Sequence, residues 1–377
     1  MGSKGLKFAA VSPGRARARQ AADKKDFGAL VKGFSKRYLD GPQPMAKGTA
    51  QSVGMANALH TFPTRNRTSG QFEHADKLDG RHIIEAFETR GGGMHNCLTG
   101  CIVQCSNVVH DAAGDYVTSA LEFESITMLG ANCGIGDLDD VARLDRLCDD
   151  VGLDTIEPGA AIAIYMDAGK MEYGDAKGAK GLLQEIADGT PLGRMIGDGA
   201  VTTGRETGHA RIPTFRGQSI PAWDPRTLKA TGVTYATSAQ GADHTAGLVV
   251  KPGQPEEKWA KASQKSQIIN AITDASGFCM FISPTVDDVR KFFSAYFGEE
   301  ISAQQIADYG WQILEDEWDF CDRAGFELSD DVIPACAKED AIGANNDQVF
   351  DAKPETLEAV RKCQISAEEL CGGAATG

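Results

Sequence analysis

The sequence predicts a mostly α-helical protein built as two helical domains. Three observations carry that prediction: apolar residues recur at helical spacing through most of the chain, strand-like stretches are brief, and 377 residues exceed what one hydrophobic core usually serves. In chain order, Gly5 to Val11 reads as one short strand without a visible partner, followed by the basic run Arg15 to Arg19. Phe27, Leu30, Val31 and Phe34 give a helix from about Asp23 to Tyr38, ending toward Gly41-Pro42. Gly48 to Arg90 is polar and rich in turn signals, so only isolated helical turns are expected there.

Val117 to Leu121 suggests a second brief strand, leading into Glu122-Phe-Glu124. The clearest helix follows Asp137, which caps a face of Leu138, Val141, Leu144, Leu147 and Val151, and Gly152 stops it. Further helices are expected at about Pro158 to Ala168 and Gly181 to Ala187, with Gly- and Thr-rich loops from Gly197 to Ser219. Ile220 to Arg226 contains two prolines, each restricting the residue before it, and this rigid turn is the expected domain boundary. Beyond it come helices at about Glu256 to Thr273, after the cap Thr285, and from Ala303 to Ala324.

Fifty-three acidic against 38 basic side chains give a net charge of −15, which disfavours nucleic acid or an anionic membrane surface as the main partner. Small molecules and proteins remain. The ten cysteines are scattered rather than packed into a small disulfide framework, which fits a reducing compartment and metal ligation. Only four apolar residues, Phe8 to Val11, follow Lys4 and Lys7, so no secretory leader is expected. No apolar run reaches membrane-spanning length, and the expectation is a cytoplasmic protein. Asn66-Arg-Thr68 is a glycosylation sequon that has no meaning in that setting.

Chemistry concentrates at Cys97-Leu-Thr-Gly-Cys101-Ile-Val-Gln-Cys105, three evenly spaced cysteines after the flexible Gly91-Gly92-Gly93. Zinc or an iron–sulfur cluster wants four ligands, and the best fourth is Cys279. His95 and His110 flank the triplet as alternative ligands, His95 being the nearer substitute for Cys97. Cys133, Cys148 and Cys321 lie in or beside apolar helical patterns and read as small core residues, while Cys336, Cys363 and Cys371 carry no assignment. Cys279 closes Asp274-Ala-Ser-Gly277-Phe278-Cys279, whose form repeats Asp149-Asp-Val-Gly152-Leu153-Asp154. Both segments end predicted helices, and each is also readable as an ordinary glycine C-cap.

The triplet, the two Asp-x-x-Gly motifs, Glu122-Phe-Glu124 with Gly130-Ala-Asn-Cys-Gly-Ile, the turn Trp223-Asp-Pro-Arg226 and the segment Gly241-Ala-Asp-His244 together resemble the tungsten-containing aldehyde ferredoxin oxidoreductases. The resemblance covers almost the whole chain. It implies a [4Fe–4S] cluster on Cys97, Cys101, Cys105 and Cys279, beside a tungsten (or molybdenum) bis-pyranopterin. Asp149, Leu153 and Asp154 would contact one pterin, and Asp274 and Phe278 the other. Glu124 takes the position of the active-site glutamate, with Glu122 as fallback, and His244 that of the histidine facing substrate.

The same resemblance implies oxidation of a small aldehyde to its acid, or the reverse, with electrons passing to ferredoxin or another iron–sulfur carrier. The family's aromatic thioester reductases, or a cluster-binding electron-transfer polypeptide without catalysis, are the alternatives. Three residues separate Cys97 from Cys101 where the family usually has two, and Arg143 stands where some members hold a bridging iron, so no such iron is expected. Members begin with a β-rich domain that covers the pterins and supplies ligands to magnesium. Its last strand matches the beginning of this chain, so residues 1–22 are expected as its remnant, with helical domains at 23–222 and 223–377. A separate N-terminal domain polypeptide, or a fragmentary chain, would account for the rest, and magnesium is expected only where that domain is supplied.

Overall fold

The computed structural model describes residues 8–12, 14, 19–43, 45–326, 333–362 and 365–372. The mostly helical fold class holds. Helix α1 (Lys24–Asp40) is capped by Asp23, and α2 (Ser52–Ala58) and α3 (Gly80–Arg90) follow. Strands β1 (Gly92–His95), β2 (Ser106–His110) and β3 (Tyr116–Ser119) form one antiparallel sheet in that order. The chain then runs through α4 (Phe123–Ser125) and a π-helical turn at Ile126–Gly130 into α5 (Leu138–Val151), α6 (Ile156–Asp167), α7 (Ala176–Asp188), α8 (Pro191–Gly197) and α9 (Ala200–Thr207). A two-residue hairpin, β4 (Thr214–Phe215) and β5 (Gln218–Ser219), precedes α10 (Lys229–Thr237), α11 (Trp259–Ala275), α12 (Val286–Phe297) and α13 (Ala303–Arg323). Short helices α14 (Ala335–Glu339), α15 (Pro354–Glu358) and α16 (Ala367–Cys371) finish it.

Where the apolar period is strong, sequence and structure agree. Asp137 accepts from the N–H groups of Asp139 and Asp140 at 3.0 and 3.1 Å, starting α5 where expected. Thr285 and Asp288 form a reciprocal capping box on α12, and Ser302 with Gln305 does the same for α13. Helix α6 is buried almost all round, as its small and aliphatic residues require.

Three expectations change. Phe8 to Val11 are not in a strand and are exposed, while residues 5–7 of the expected strand lie outside the described residues. The stretch from Gly48 to Arg90 contains the eleven-residue helix α3 and much of the first core rather than isolated surface turns. Phe62, Phe72 and Leu78 are buried there, and so are the polar Thr61, Thr64, Asn66 and Arg67. Burial of Asn66 also removes it from any glycosylating enzyme. The third change is the three-stranded sheet, of which only β3 is legible as a strand signal.

Two hydrophobic clusters organise the chain. The first runs from Ala50 to Leu228 and includes α5, α6 and α7; the second runs from Phe215 to Leu370 around α10, α11 and α13. They interleave at the turn after β5: Phe215 and Ile220 belong to the second cluster, whereas Trp223 and Leu228 belong to the first. Residues of the rigid turn Ile220 to Arg226 thus contribute to both cores. Cys133 and Cys148 are core residues, Cys321 is half-buried with its thiol against the carbonyl of Ala239, and Cys363 lies outside the described residues.

Candidate functional site

The cysteine triplet occupies the loop between β1 and β2. Antiparallel pairing sets His95 opposite Ser106, so Cys97 and Cys105 emerge from the two feet of one hairpin and the ends of the loop cannot drift apart. Cys97 and Cys279 are exposed, Cys101 and Cys105 half-buried, and none is in a disulfide. Burial pushes the Cys105 thiol up to about 11, and the negative charges of Glu122, Cys279 and Cys97 add to that rise. Cys279, distant in sequence, thus lies within electrostatic reach of Cys105. Among the described residues, no three His, Cys, Asp or Glu side chains stand close enough to hold a single metal ion. His95 turns its Nδ1 to the carbonyl of Asn96 at 3.1 Å, and His110 packs edge-on to Tyr116.

Both Asp-x-x-Gly motifs fold as left-handed helix caps. At the end of α5, Gly152 has φ +84° and its N–H donates to the carbonyls of Cys148 and Asp149 at 2.8 and 3.1 Å. At the end of α11, Gly277 has φ +79° and donates to Asp274 at 3.0 Å. A side chain at either position would be strained, so the glycines are dictated by the cap. Beyond the glycine the two motifs diverge. Asp154 accepts from the N–H groups of Ile156 and Glu157, both at 2.8 Å, and so starts α6. Leu153 packs on the first core, and Phe278 packs on the second, 5.9 Å from Phe34 and 5.3 Å from Phe292. Asp149 is exposed, while Asp274 lines a cavity of about 230 Å³ with Gln240, Gln267, Asn270 and Glu317. Burial and the neighbouring Asp243 raise the Asp274 carboxyl above its ordinary range.

Glu124 and His244 meet. The expected strand end at Glu122-Phe-Glu124 is instead the first turn of α4, which turns the two carboxylates to different faces. Glu122 accepts from the Thr49 hydroxyl and lies toward Ser106 and Cys105. Glu124 points the other way: its Oε2 accepts from the Ala222 N–H at 2.7 Å, and its Oε1 lies 3.3 Å from His244 Nδ1. Glu124 Oε1 and His244 Nδ1 are both buried, and neither makes an aligned hydrogen bond. Burial raises the Glu124 carboxyl, against the opposing effects of His244, the Ala222 N–H and Arg67.

A buried charge network that no sequence pattern announces fixes this carboxylate. Arg67 donates to the carbonyls of Ile220 and Pro221 and, at 3.1 Å, to Asp224. Arg226 forks onto the same Asp224 at 2.9 and 2.8 Å. Burial works against the Asp224 charge, but Arg226 and Arg67 prevail and hold its carboxyl down to about 2. Ala222 lies inside the turn so clamped, which is why its N–H can be offered to Glu124. Trp223 packs on Phe123 with ring centroids 4.9 Å apart and the planes tilted by 44°, coupling the turn directly to the segment that carries Glu124. His244 is set by a second device: Asp243 accepts from the Thr245 N–H at 2.8 Å, and Asn270 donates to the Thr245 carbonyl at 2.7 Å.

Residues 30–362 match the family model for aldehyde ferredoxin oxidoreductase, domains 2 and 3. The chain is 29% identical to a tungsten-containing aldehyde ferredoxin oxidoreductase of Thermococcus kodakarensis and 26% identical to one of Pyrococcus furiosus, covering 89% of this chain and 60% of each relative. It therefore spans about 60% of the length of these relatives. Among solved structures it is similar to the active site complex BamBC of benzoyl coenzyme A reductase in complex with 1,5-dienoyl-CoA. The TM-score is 0.68 at 13% identity, with 90% of this chain and 61% of the other covered. The match over nearly the whole chain makes it a member of the aldehyde ferredoxin oxidoreductase family, an oxidoreductase family, over the part that corresponds to domains 2 and 3.

Proposed function

We propose that this chain is the cluster- and pterin-holding part of an enzyme that oxidises an aldehyde to its carboxylate and passes the electrons through a [4Fe–4S] cluster to ferredoxin or a similar carrier. The observation that carries the reading is the Glu124–His244 pair, a carboxyl raised by burial and an imidazole 3.3 Å apart with neither facing atom hydrogen-bonded. Buried polar groups are normally paired, so two left open side by side suit a bound reactant.

The overall change is aldehyde plus water to carboxylate, three protons and two electrons. When bound, a bis-pyranopterin tungsten or molybdenum centre supplies the two-electron redox chemistry. Glu124 takes the proton from water or from the aldehyde hydrate, and its raised pKa gives it base strength closer to neutrality. His244 donates to the carbonyl oxygen of the substrate. The clamped turn keeps the Ala222 N–H on one oxygen of Glu124, leaving the other for proton transfer.

Cys97, Cys101, Cys105 and Cys279 would hold the cluster. Four cysteines are the usual ligand set of such a cluster, one thiolate to each iron. Asp149, Leu153 and Asp154 would meet one pterin, with one oxygen of Asp154 already committed to α6. Asp274 and Phe278 would meet the other; the carboxylate of Asp274 among side-chain amides suits a hydrogen-bonding heterocycle. A β-rich domain with its magnesium, in the same polypeptide or a separate one, would complete the cofactor site.

Metal analysis of the purified chain, alone and co-produced with a candidate N-terminal partner, tests this. Iron in both samples, and tungsten or molybdenum with aldehyde-dependent dye reduction in the second, are expected. Iron without either metal in both samples would reduce the chain to an electron-transfer polypeptide. A colourless, iron-free chain would overturn the reading.

A further inference from the structure

We propose that Tyr38 is a fifth residue of the cluster site, its phenol hydroxyl donating a hydrogen bond to sulfur in the nest of Cys101, Cys105 and Cys279. The inference rests on the [4Fe–4S] reading above. It begins with where α1 lies. Phe34 of α1 packs at 5.9 Å from Phe278 and 5.9 Å from Phe292, and Phe278 directly precedes Cys279. One helical turn further along the same face stands Tyr38. Its side chain shares a small depression with Ile282 and Ser283, just beyond Cys279 in the chain.

The Tyr38 hydroxyl is fully buried and has no hydrogen-bond partner. Buried tyrosine hydroxyls almost always find one, so an orphan marks a place where something binds. After burial itself, Cys105, Cys101 and Cys279 act on this phenol, in that order, which puts all three thiols within its electrostatic reach. Toward an anionic sulfur a neutral phenol can only donate. With a cluster in place, its sulfurs are anionic acceptors and the O–H supplies a charge-assisted bond. The ring is held by α1 rather than by the cysteine loop, so the donor is positioned independently of the ligands.

A donor to cluster sulfur favours the reduced, more negative form and raises the reduction potential. Tyr38→Phe keeps the ring and its packing while removing the donor. The test uses the full chain loaded with its cluster, comparing iron content, the midpoint potential from an EPR-monitored redox titration, and exchangeable-proton couplings in the reduced state. Expected are unchanged iron, loss of one exchangeable coupling, and a more negative potential. That shift would correspond to an about tenfold weaker reduction equilibrium, or about 59 mV for one electron. Equal potentials and equal couplings in an iron-loaded pair would overturn the role of Tyr38 and leave the cluster reading standing. An iron-free wild-type chain would overturn the cluster reading and this inference with it.

Discussion

Glu124 and Cys105 sit at opposite ends of a short path through α4, yet their surroundings differ in kind. Glu124 receives a backbone N–H at 2.7 Å from a turn that Arg67, Asp224 and Arg226 lock from behind. Cys105 lies near other thiols, the carboxylate of Glu122 and an orphan phenol, and burial with the charges of Glu122, Cys279 and Cys97 outweighs the one backbone hydrogen bond that favours its ionisation. The polypeptide alone determines the geometry of the first region. In the second, on the reading proposed above, the thiols would be deprotonated and gathered by the bound metal centre. The site so proposed would combine a half that is finished on folding with a half that is finished on loading.

The largest test of that contrast is Cys279→Ser. Iron content is expected to fall to background while the urea midpoint of the unloaded chain stays within error, since the residue is exposed and in no disulfide. Full iron retention would remove Cys279 from the nest. Next comes Glu124→Gln, which should lower kcat/KM of the reconstituted enzyme by about 10²–10⁴-fold, the usual loss for a general base. Its folded pKa is raised, so folding penalises its charge and the amide escapes that penalty. Urea unfolding at pH 8 should show no loss of stability.

Asp224→Asn should cost about 3–5 kcal/mol, because it leaves two buried guanidiniums facing each other without their shared anion. The Asp224 pKa is depressed from 3.8 to about 2, so its contribution is complete above pH about 4 and disappears as pH falls through about 2. The variant should lack that acid limb in urea titrations. Asp145 sharpens the comparison with the opposite sign. Burial lifts its carboxyl to about 6, although Thr118 donates to it at 2.8 Å. Its stabilising effect is full below pH about 4 and is lost as pH rises through about 6. Asp145→Asn should flatten that neutral-side decline by about 1–3 kcal/mol, read from urea midpoints between pH 4.5 and 8.

Much of this architecture is legible in the residues. Helices α5, α12 and α13 follow from apolar spacing and their capping side chains, and the two glycine caps follow from the need for positive φ. The cysteine spacing points to one site, and the family resemblance singles out Glu124 and His244, which the fold brings to 3.3 Å of each other. What the sequence hides is the polar interior. Arg67 lies in Thr64-Arg-Asn-Arg-Thr68, a composition that reads as solvated loop, and only the carbonyls and carboxylate brought to it by the Ile220–Arg226 turn explain its burial. No periodicity announces such a residue, because its partners are distant in sequence. Tyr38 is half visible: it continues the apolar stripe of α1, but its unpaired hydroxyl is a property of packing.

The loop that carries Arg67 has a consequence for how this protein can change. Arg65, Asn66 and Arg67 all adopt left-handed backbone conformation, with φ of +47°, +48° and +60°. Such a conformation ordinarily favours glycine or asparagine, yet at Arg67 the side chain outweighs that preference. Gly70 closes the same loop against His60, whose carbonyl oxygen would lie 2.0 Å from any added Cβ. Backbone shape therefore restricts Gly70, and side-chain chemistry restricts Arg67. Although it lacks helix or strand, the segment is a poor place for insertions, tags or grafted epitopes, and randomising it would return few folded clones.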